Sequence, residues 1–150
     1  MRFVMLIYPG PAAESETSPI PMGPEGQKLA QDMVAFNQRM VDAGVMRGGE
    51  GLKPTRKGAR VRFGGRESVT VTDGPFTETK EVLGGYWIIE VATLADAVTW
   101  ARQAPCPAGE VIEIREVYTP EDFGPEIAAI ERRQIEQMEA NATKKPGHKS

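Results

Sequence analysis

Cysteine and histidine are almost absent from this chain. Cys106 is the one cysteine among 150 residues, so the chain can form neither an internal disulfide nor a multi-cysteine metal site. The one histidine, His148, stands close to the C-terminus, which leaves the body of the domain without the base that a Ser-His-Asp or Cys-His arrangement requires. Carboxylates occur at no spacing typical of a metal site. We therefore predict no catalytic triad, no metal and no cofactor.

Long apolar runs and a strong charge imbalance are also missing. The net charge is -3 and acidic and basic residues are interspersed, which argues against a surface that follows a nucleic-acid backbone. No segment is long enough to span a bilayer. The apolar start, residues 2–8, is too short for a signal peptide and ends in Pro9-Gly10. With the single cysteine, these features predict a cytoplasmic protein that binds neither nucleic acid nor membranes.

The pattern of apolar residues predicts alternating strands and helices. Runs that are apolar or alternate with period two predict strands at 2–8, 45–52, 59–63, 67–72, 86–91 and 110–118. Helical spacing predicts helices at 25–43, after Thr93 and at 125–140. Thr93 with Asp96 three residues later is close to a capping box, which marks the start of the second helix.

This order of elements predicts the fold class. Strand, helix, strand, hairpin, strand, helix, strand is the split pattern of ferredoxin-like α+β folds, in which helices cover one face of an antiparallel sheet. Because the first strand is apolar on both of its faces, we expect a second copy of the chain to cover the other face and form a homodimer. We assign residues 1–118 to this domain, with the hairpin inserted in it, and 119–150 to a helical extension with a disordered tail.

Residues 73–86 concentrate turn formers and charges in the order DGPFTETKEVLGGY. The first four residues predict a sharp reversal, because aspartate can bond its own downstream backbone, glycine permits a positive φ and proline fixes the next φ. The two glycines before Tyr86 would let a ligand or a partner's backbone approach closely. This stretch is therefore where we look for a site.

Five charged or polar side chains are candidates for chemistry. If Asp73, Glu81 or Glu50 lay in an apolar cavity, its pKa would rise and it could serve as a general acid or base. Lys80 could hold an anion or a developing oxyanion, and Tyr86 could donate a hydrogen bond. The alternative is that Lys80 pairs with a neighbouring glutamate and that the turn only fixes the geometry of the sheet.

A basic concentration precedes the motif, within residues 56–66. Charge that alternates with apolar residues is typical of the solvated face of a hairpin. The alternative is a pocket for an anionic ligand, with Arg62 as its anchor.

The motif resembles a known family. DGPFTETKE at 73–81, followed by LGGY at 83–86, is similar to the DGPF (DGPFAETKE) branch of YCII-related proteins, with Thr77 in place of the usual alanine. Further similarity lies at residues 5–8, 48–52, Trp100, Pro105 and 109–115. The resemblance implies a dimeric α+β barrel.

Two functions follow from the residues and the resemblance. Relatives in the wider YCII group carry a His-Asp pair for acid-base chemistry, related to a lyase that eliminates chloride from muconate-type compounds, but this chain lacks that histidine. The first hypothesis is a small-molecule-binding or lyase-like protein with a cleft near the motif that takes a small acidic ligand. The second is a noncatalytic dimeric module that acts with an extracytoplasmic-function sigma factor or another protein, since DGPF proteins are often encoded beside such sigma factors.

Overall fold

The computed structural model describes residues 1–10, 23–76 and 82–144. In these ranges the strands are β1 (Arg2–Tyr8), β2 (Met46–Gly51), β3 (Ala59–Phe63), β4 (Val69–Asp73), β5 (Gly85–Glu90) and β6 (Val111–Glu116). The helices are α1 (Pro24–Asp42), α2 (Leu94–Ala101) and α3 (Pro125–Ala142), with short 3-10 helices at Thr55–Lys57 and Pro120–Phe123.

Four strands form one antiparallel sheet in the order β2-β5-β1-β6. Met5 at the centre of β1 is opposite Trp87 of β5 on one side and Ile114 of β6 on the other. With α1 between β1 and β2 and α2 between β5 and β6, this is the ferredoxin-like α+β topology. The fold class predicted from the element order is confirmed.

The core lies between this sheet and the first two helices. One face of β1 and β5 meets α1 and α2 there, through Phe3, Met5, Phe36, Met40, Trp87, Ile89 and Ala97. The Phe36 and Trp87 rings meet edge to face with centroids 5.4 Å apart, an arrangement that aromatic quadrupoles favour. Burial of these side chains fixes which face of the sheet the helices occupy.

Side chains of the other parity point to the opposite face of the sheet. Val4, Leu6 and Ile88 are half-buried there, whereas Phe3 and Met5 on the helix face are buried. The predicted second copy that would cover this face stays a prediction.

The predicted hairpin is confirmed as a separate two-stranded sheet of β3 and β4. The Gly64 N–H donates to the Ser68 carbonyl at 2.7 Å and closes the turn. Phe63 is opposite Val69 in the register, and every residue of both strands is exposed. β4 begins at Val69, two residues after the predicted start, because residues 64–68 form the turn.

The chain divides after Glu116 into two compact units. In the second unit the short 3-10 helix precedes α3, Arg132 of α3 forms an ion pair with Glu121, and the rings of Tyr118 and Phe123 are 5.2 Å apart. α3 confirms the helix predicted at 125–140 and runs two residues further.

Across the described ranges, no helix has both the length and the apolar character needed to cross a membrane.

Candidate functional site

The turn at the start of the motif packs against the chain segment around Thr55. The Gly74 N–H donates to the Gly58 carbonyl at 3.0 Å, and the Phe76 N–H donates to Thr55 Oγ1 at 3.3 Å. A Cβ atom on Gly74 would overlap the Thr55 carbonyl oxygen, so the backbones approach too closely for any side chain. The Asp-Gly-Pro-Phe turn therefore holds the base of the hairpin.

The end of the motif joins the ends of two strands of the main sheet. The Gly84 N–H donates to the Ile7 carbonyl at 2.8 Å, and the Leu52 N–H donates to the Gly84 carbonyl at 2.9 Å. A Cβ atom on Gly84 would lie 2.6 Å from Cγ of Pro9. The close approach at this glycine is thus made by the ring of Pro9 in the same chain, whereas the sequence had indicated close approach by a ligand or a partner's backbone.

A cavity of about 440 Å³ opens beside Gly84. Its described lining is Ile7, Pro9, Leu29, Met33, Gly51, Leu52, Lys53, Pro54, Val82, Leu83, Gly84, Pro105, Pro107 and Glu110. Within this described lining, Lys53 and Glu110 are the ionisable residues, and all the others are apolar or glycine. Volume and lining are those of a site for a small organic molecule.

A second cavity, of about 410 Å³, adjoins the first. The two share Ile7, Met33, Gly51 and Gly84, and the second also contacts Asn37, Gly49, Glu50, Tyr86 and Trp87. Two predicted site residues, Glu50 and Tyr86, are therefore together in its lining, as opposite partners in the pairing of β2 with β5.

Glu110 is the cavity carboxyl with a shifted pKa. Its partial burial disfavours the charged form and raises its pKa, while a hydrogen bond from the Cys106 thiol to the carboxylate acts in the opposite direction. Burial is also the main cause that raises the pKa of Cys106 to about 11, and the charge and hydrogen bond of Glu110 add to it. The thiol is therefore neutral near pH 7 and a weak nucleophile, whereas the Glu110 carboxyl holds its proton more readily than an ordinary glutamate does.

Sequence reasoning missed both charged residues of the first cavity. Glu110 was the first residue of a predicted strand with several acidic side chains, and Lys53 follows the glycine-rich strand that includes Glu50. No local pattern separates them from solvated residues. The one available signal was that residues 109–115 share in the family resemblance.

The other predicted site residues lie elsewhere. Asp73 is exposed at the end of β4, so the burial expected of a general acid or base is not met, and it is outside the described lining of both cavities. Arg62 is exposed within β3 and is also outside that lining, so the structure does not place it as an anion anchor of this cleft. Lys80 and Glu81 lie outside the described residues. Glu50 is exposed where it borders the second cavity, and Tyr86 is half-buried.

The described part of the chain contains no set of side chains that could bind a metal ion. No group of three or more histidine, cysteine, aspartate or glutamate residues there is arranged to hold a metal ion.

The strand order and the adjoining cavities define an α+β domain of ferredoxin-like topology with room for a small ligand. Residues 1–121 match the YCII-related domain family, and the chain belongs to that family. The family predicted from the motif is thereby confirmed, while its DGPF branch and the dimer stay predictions.

Two further proteins are similar to this chain. An uncharacterised protein of Rhizobium meliloti (strain 1021) is 37% identical over 78 residues, which are 52% of this chain and 62% of that protein's length. The solved structure of 5-chloro-2-hydroxyhydroquinone dehydrochlorinase from Burkholderia phenoliruptrix AC1100, in complex with 2,5-dihydroxybenzoquinone, is 11% identical with a TM-score of 0.44. That match covers 81% of this chain and 98% of the dehydrochlorinase.

Proposed function

We propose that this protein binds a small, largely apolar organic molecule in the cavity beside Gly84, with Glu110 as the group that exchanges a proton with it. The observation that carries the proposal is the raised pKa of a carboxyl in the lining of an apolar cavity of about 440 Å³. Titratable groups with shifted pKa values in such clefts are typical of binding and catalytic sites.

The chemistry that fits this arrangement is lyase-like proton transfer. The ionised form of Glu110 would take a proton from a carbon of the ligand, the electron pair of the broken C–H bond would form a double bond, and a leaving group would depart from the adjacent carbon with its bonding pair. A histidine cannot serve as the base between residues 1 and 121, because none occurs there. Glu110 supplies a carboxyl for the role instead.

Ligand binding is tested by blocking the cavity from helix α1. Leu29 lines the cavity, so Leu29→Trp would fill part of it, whereas Val34→Trp adds the same ring at a position of α1 that is 67% exposed. In a thermal-shift and ligand-observed NMR screen of small organic compounds, wild type and Val34→Trp should share hits that Leu29→Trp loses. Hits that persist in Leu29→Trp, or the lack of any hit for wild type, would contradict the proposal.

Turnover is tested separately with the compounds that bind. Glu110→Gln keeps the shape of the side chain but removes its acid-base function, so we expect binding to persist and conversion of the ligand to stop. Conversion at an unchanged rate in Glu110→Gln would remove Glu110 from the reaction while leaving the binding proposal in place.

We also propose a second role, that of a noncatalytic dimeric module. This proposal rests on the face of the main sheet that lies opposite the helices. Val4, Leu6 and Ile88 form an apolar row there that is only half-buried, and burial against a second copy would be favourable. Light scattering at micromolar concentration should give twice the mass of the chain, and Leu6→Glu should lower that mass to a monomer's. A monomeric mass for wild type would contradict the dimer. The link to a sigma factor stays a prediction.

A further inference from the structure

The two adjoining cavities meet at four lining residues, which are Ile7, Met33, Gly51 and Gly84. Ile7 and Met33 contribute side chains to this boundary, and the ring of Pro9 occupies the place that a side chain on Gly84 would need. A Cβ atom on Gly51, in contrast, would meet no atom of a non-adjacent residue within 4 Å. The part of the boundary that Gly51 forms is therefore open.

Gly51 faces the same side of the main sheet as the core. It is opposite Gly85 in the pairing of β2 with β5, and Gly49, two residues before it, is opposite the buried Trp87. Because side chains alternate between the faces of a strand, Gly49 and Gly51 share the face of Trp87, on which helix α1 packs. A side chain at position 51 would thus extend into the space that both cavities use.

The backbone does not require a glycine at position 51. Gly51 is not among the glycines with a positive φ, so an L-amino acid fits its conformation. At Gly49 the reason for glycine is packing, since a Cβ atom there would lie 2.8 Å from Cδ1 of Trp87. No such contact exists at Gly51. The lack of a side chain at Gly51 therefore has one physical effect, which is to leave the two cavities open to each other.

Asn37 brings hydrogen-bond donors to the second cavity. Its Oδ1 accepts from Nε1 of Trp87 at 2.8 Å, which leaves the two N–H groups of Nδ2 for other partners. Within residues 1–10, 23–76 and 82–144, Nδ2 has no acceptor, and no fully buried polar side-chain atom there lacks a partner, so Nδ2 is accessible. Asn37 is half-buried in the lining of the second cavity, where its amide can donate to a ligand.

The charge of the second cavity restricts the group that Asn37 can hold. Its described lining contains no cation, and the ionisable side chains in it belong to Glu50 and Tyr86. An anionic end group would lack a counter-charge there, and an ammonium would place its donors against the Nδ2 donors. A carbonyl oxygen accepts hydrogen bonds and carries no charge, so it matches the amide of Asn37.

We infer that the ligand is an elongated molecule whose apolar body lies in the cavity beside Gly84 and passes Gly51, and whose carbonyl oxygen accepts from Nδ2 of Asn37 in the second cavity. The inference rests on the proposed function, since it names the ligand class of that same site. It makes Gly51 the residue that sets the length of the ligand and Asn37 the residue that selects its end group.

Probes of increasing length test the role of Gly51. They are toluene, propylbenzene and pentylbenzene, with affinities measured by ligand-observed NMR. For wild type we expect a gain of about fourfold per methylene, which corresponds to burial of one CH₂ group. Gly51→Leu should bind toluene as wild type does, which also shows that it is folded, but should not gain affinity with length. Gly48→Leu is the matched control, because Gly48 is opposite Ile88 on the other face of β2 and its Cβ position is also open.

The end group has a separate test. 5-Phenyl-2-pentanone has the chain length of pentylbenzene and a carbonyl near its end. Asn37→Asp keeps the acceptor for Trp87 and removes the Nδ2 donors, so the affinity for the ketone relative to pentylbenzene should fall about 2- to 10-fold, the range for a neutral hydrogen bond. Gln38→Glu makes the same exchange of an amide for a carboxylate at an exposed position of α1 and should leave this ratio unchanged.

The outcomes separate this inference from the proposed function. The same gain of affinity with length in Gly51→Leu as in wild type, a loss of toluene in Gly51→Leu, or an unchanged ratio in Asn37→Asp would overturn the inference. The proposed function would stand in each case if Leu29→Trp abolishes the binding of toluene to the protein. If no probe binds to wild type, the inference fails, and the screen of small organic compounds still decides the proposed function.

Discussion

The indole Nε1 of Trp87 donates a hydrogen bond to Oδ1 of Asn37 at 2.8 Å and so connects strand β5 to helix α1. Trp87 is only 4% exposed, and its ring also meets the edge of Phe36. Both Asn37 and Trp87 line the second cavity. This contact therefore stabilises the helix on the sheet at the place where the candidate site lies.

Removing the acceptor should destabilise the fold. Asn37→Ala leaves the buried indole N–H without a partner, which costs about 1–3 kcal/mol of unfolding free energy. The matched control is Gln38→Ala on the same helix, where an exposed bond to Asp42 at 2.8 Å is lost and the change should stay within about 0.5 kcal/mol. Urea unfolding followed by tryptophan fluorescence measures both. Similar losses of unfolding free energy in Asn37→Ala and Gln38→Ala would show that the hydrogen bond between Trp87 and Asn37 contributes no more than an exposed one.

Gly74 should not tolerate a side chain. In Gly74→Ala the new methyl group meets the Thr55 carbonyl, and such overpacking costs about 1–3 kcal/mol. Gly48→Ala is the control, because a Cβ there has nothing within 4 Å. Since the turn holds the base of the hairpin, hydrogen exchange at the Gly64 amide should also become faster in Gly74→Ala. Unchanged exchange there would mean that the hairpin is stable without this turn.

The capping box of α2 should be worth a measurable part of the stability. Oγ1 of Thr93 accepts from the Asp96 N–H at 3.1 Å, and the Asp96 carboxylate accepts from the Thr93 N–H at 3.0 Å. Thr93→Ala should cost about 0.5–2 kcal/mol in thermal unfolding. Thr99→Ala, inside the same helix, should be neutral or slightly stabilising because alanine favours helices. A neutral Thr93→Ala would contradict the role of the cap.

Cys106 should titrate far above an ordinary thiol. Its pKa is raised from 9.0 to about 11, so the rate of alkylation by iodoacetamide should reach its half-maximum near pH 11. Glu110→Gln removes the carboxylate's charge and should move this midpoint down, but not to 9.0, because burial is the larger cause. A wild-type midpoint near 9.0 would contradict the burial of the thiol.

The raised pKa of Cys106 also makes the free energy of unfolding depend on pH. Because the pKa is higher in the folded than in the unfolded protein, the stability contributed by the neutral thiol is fully present below about pH 9.0. It is lost as the pH rises towards 11. Cys106→Ser, compared with wild type by urea unfolding, should show a smaller loss of stability across this window.

Local patterns determined most of the secondary structure. The helix predicted at 25–43 is found at Pro24–Asp42, because spacing of its apolar residues decides which face is buried. Thr93 and Asp96 form the cap that their separation indicates. The order of elements was enough to identify the ferredoxin-like topology, since few ways exist to pair strands joined by such connections. The motif at 73–86 was enough to identify the family.

The site depended on tertiary structure, because burial and pKa are set by residues far apart in the chain. Asp73 was a candidate acid by its place in the motif, yet the hairpin forms a sheet of its own and leaves that carboxyl exposed. Glu110 resembled any acid at the start of a strand. Only the folded chain places it in one cavity with Leu29 of α1 and Leu83 of the motif, and this apolar surrounding raises its pKa.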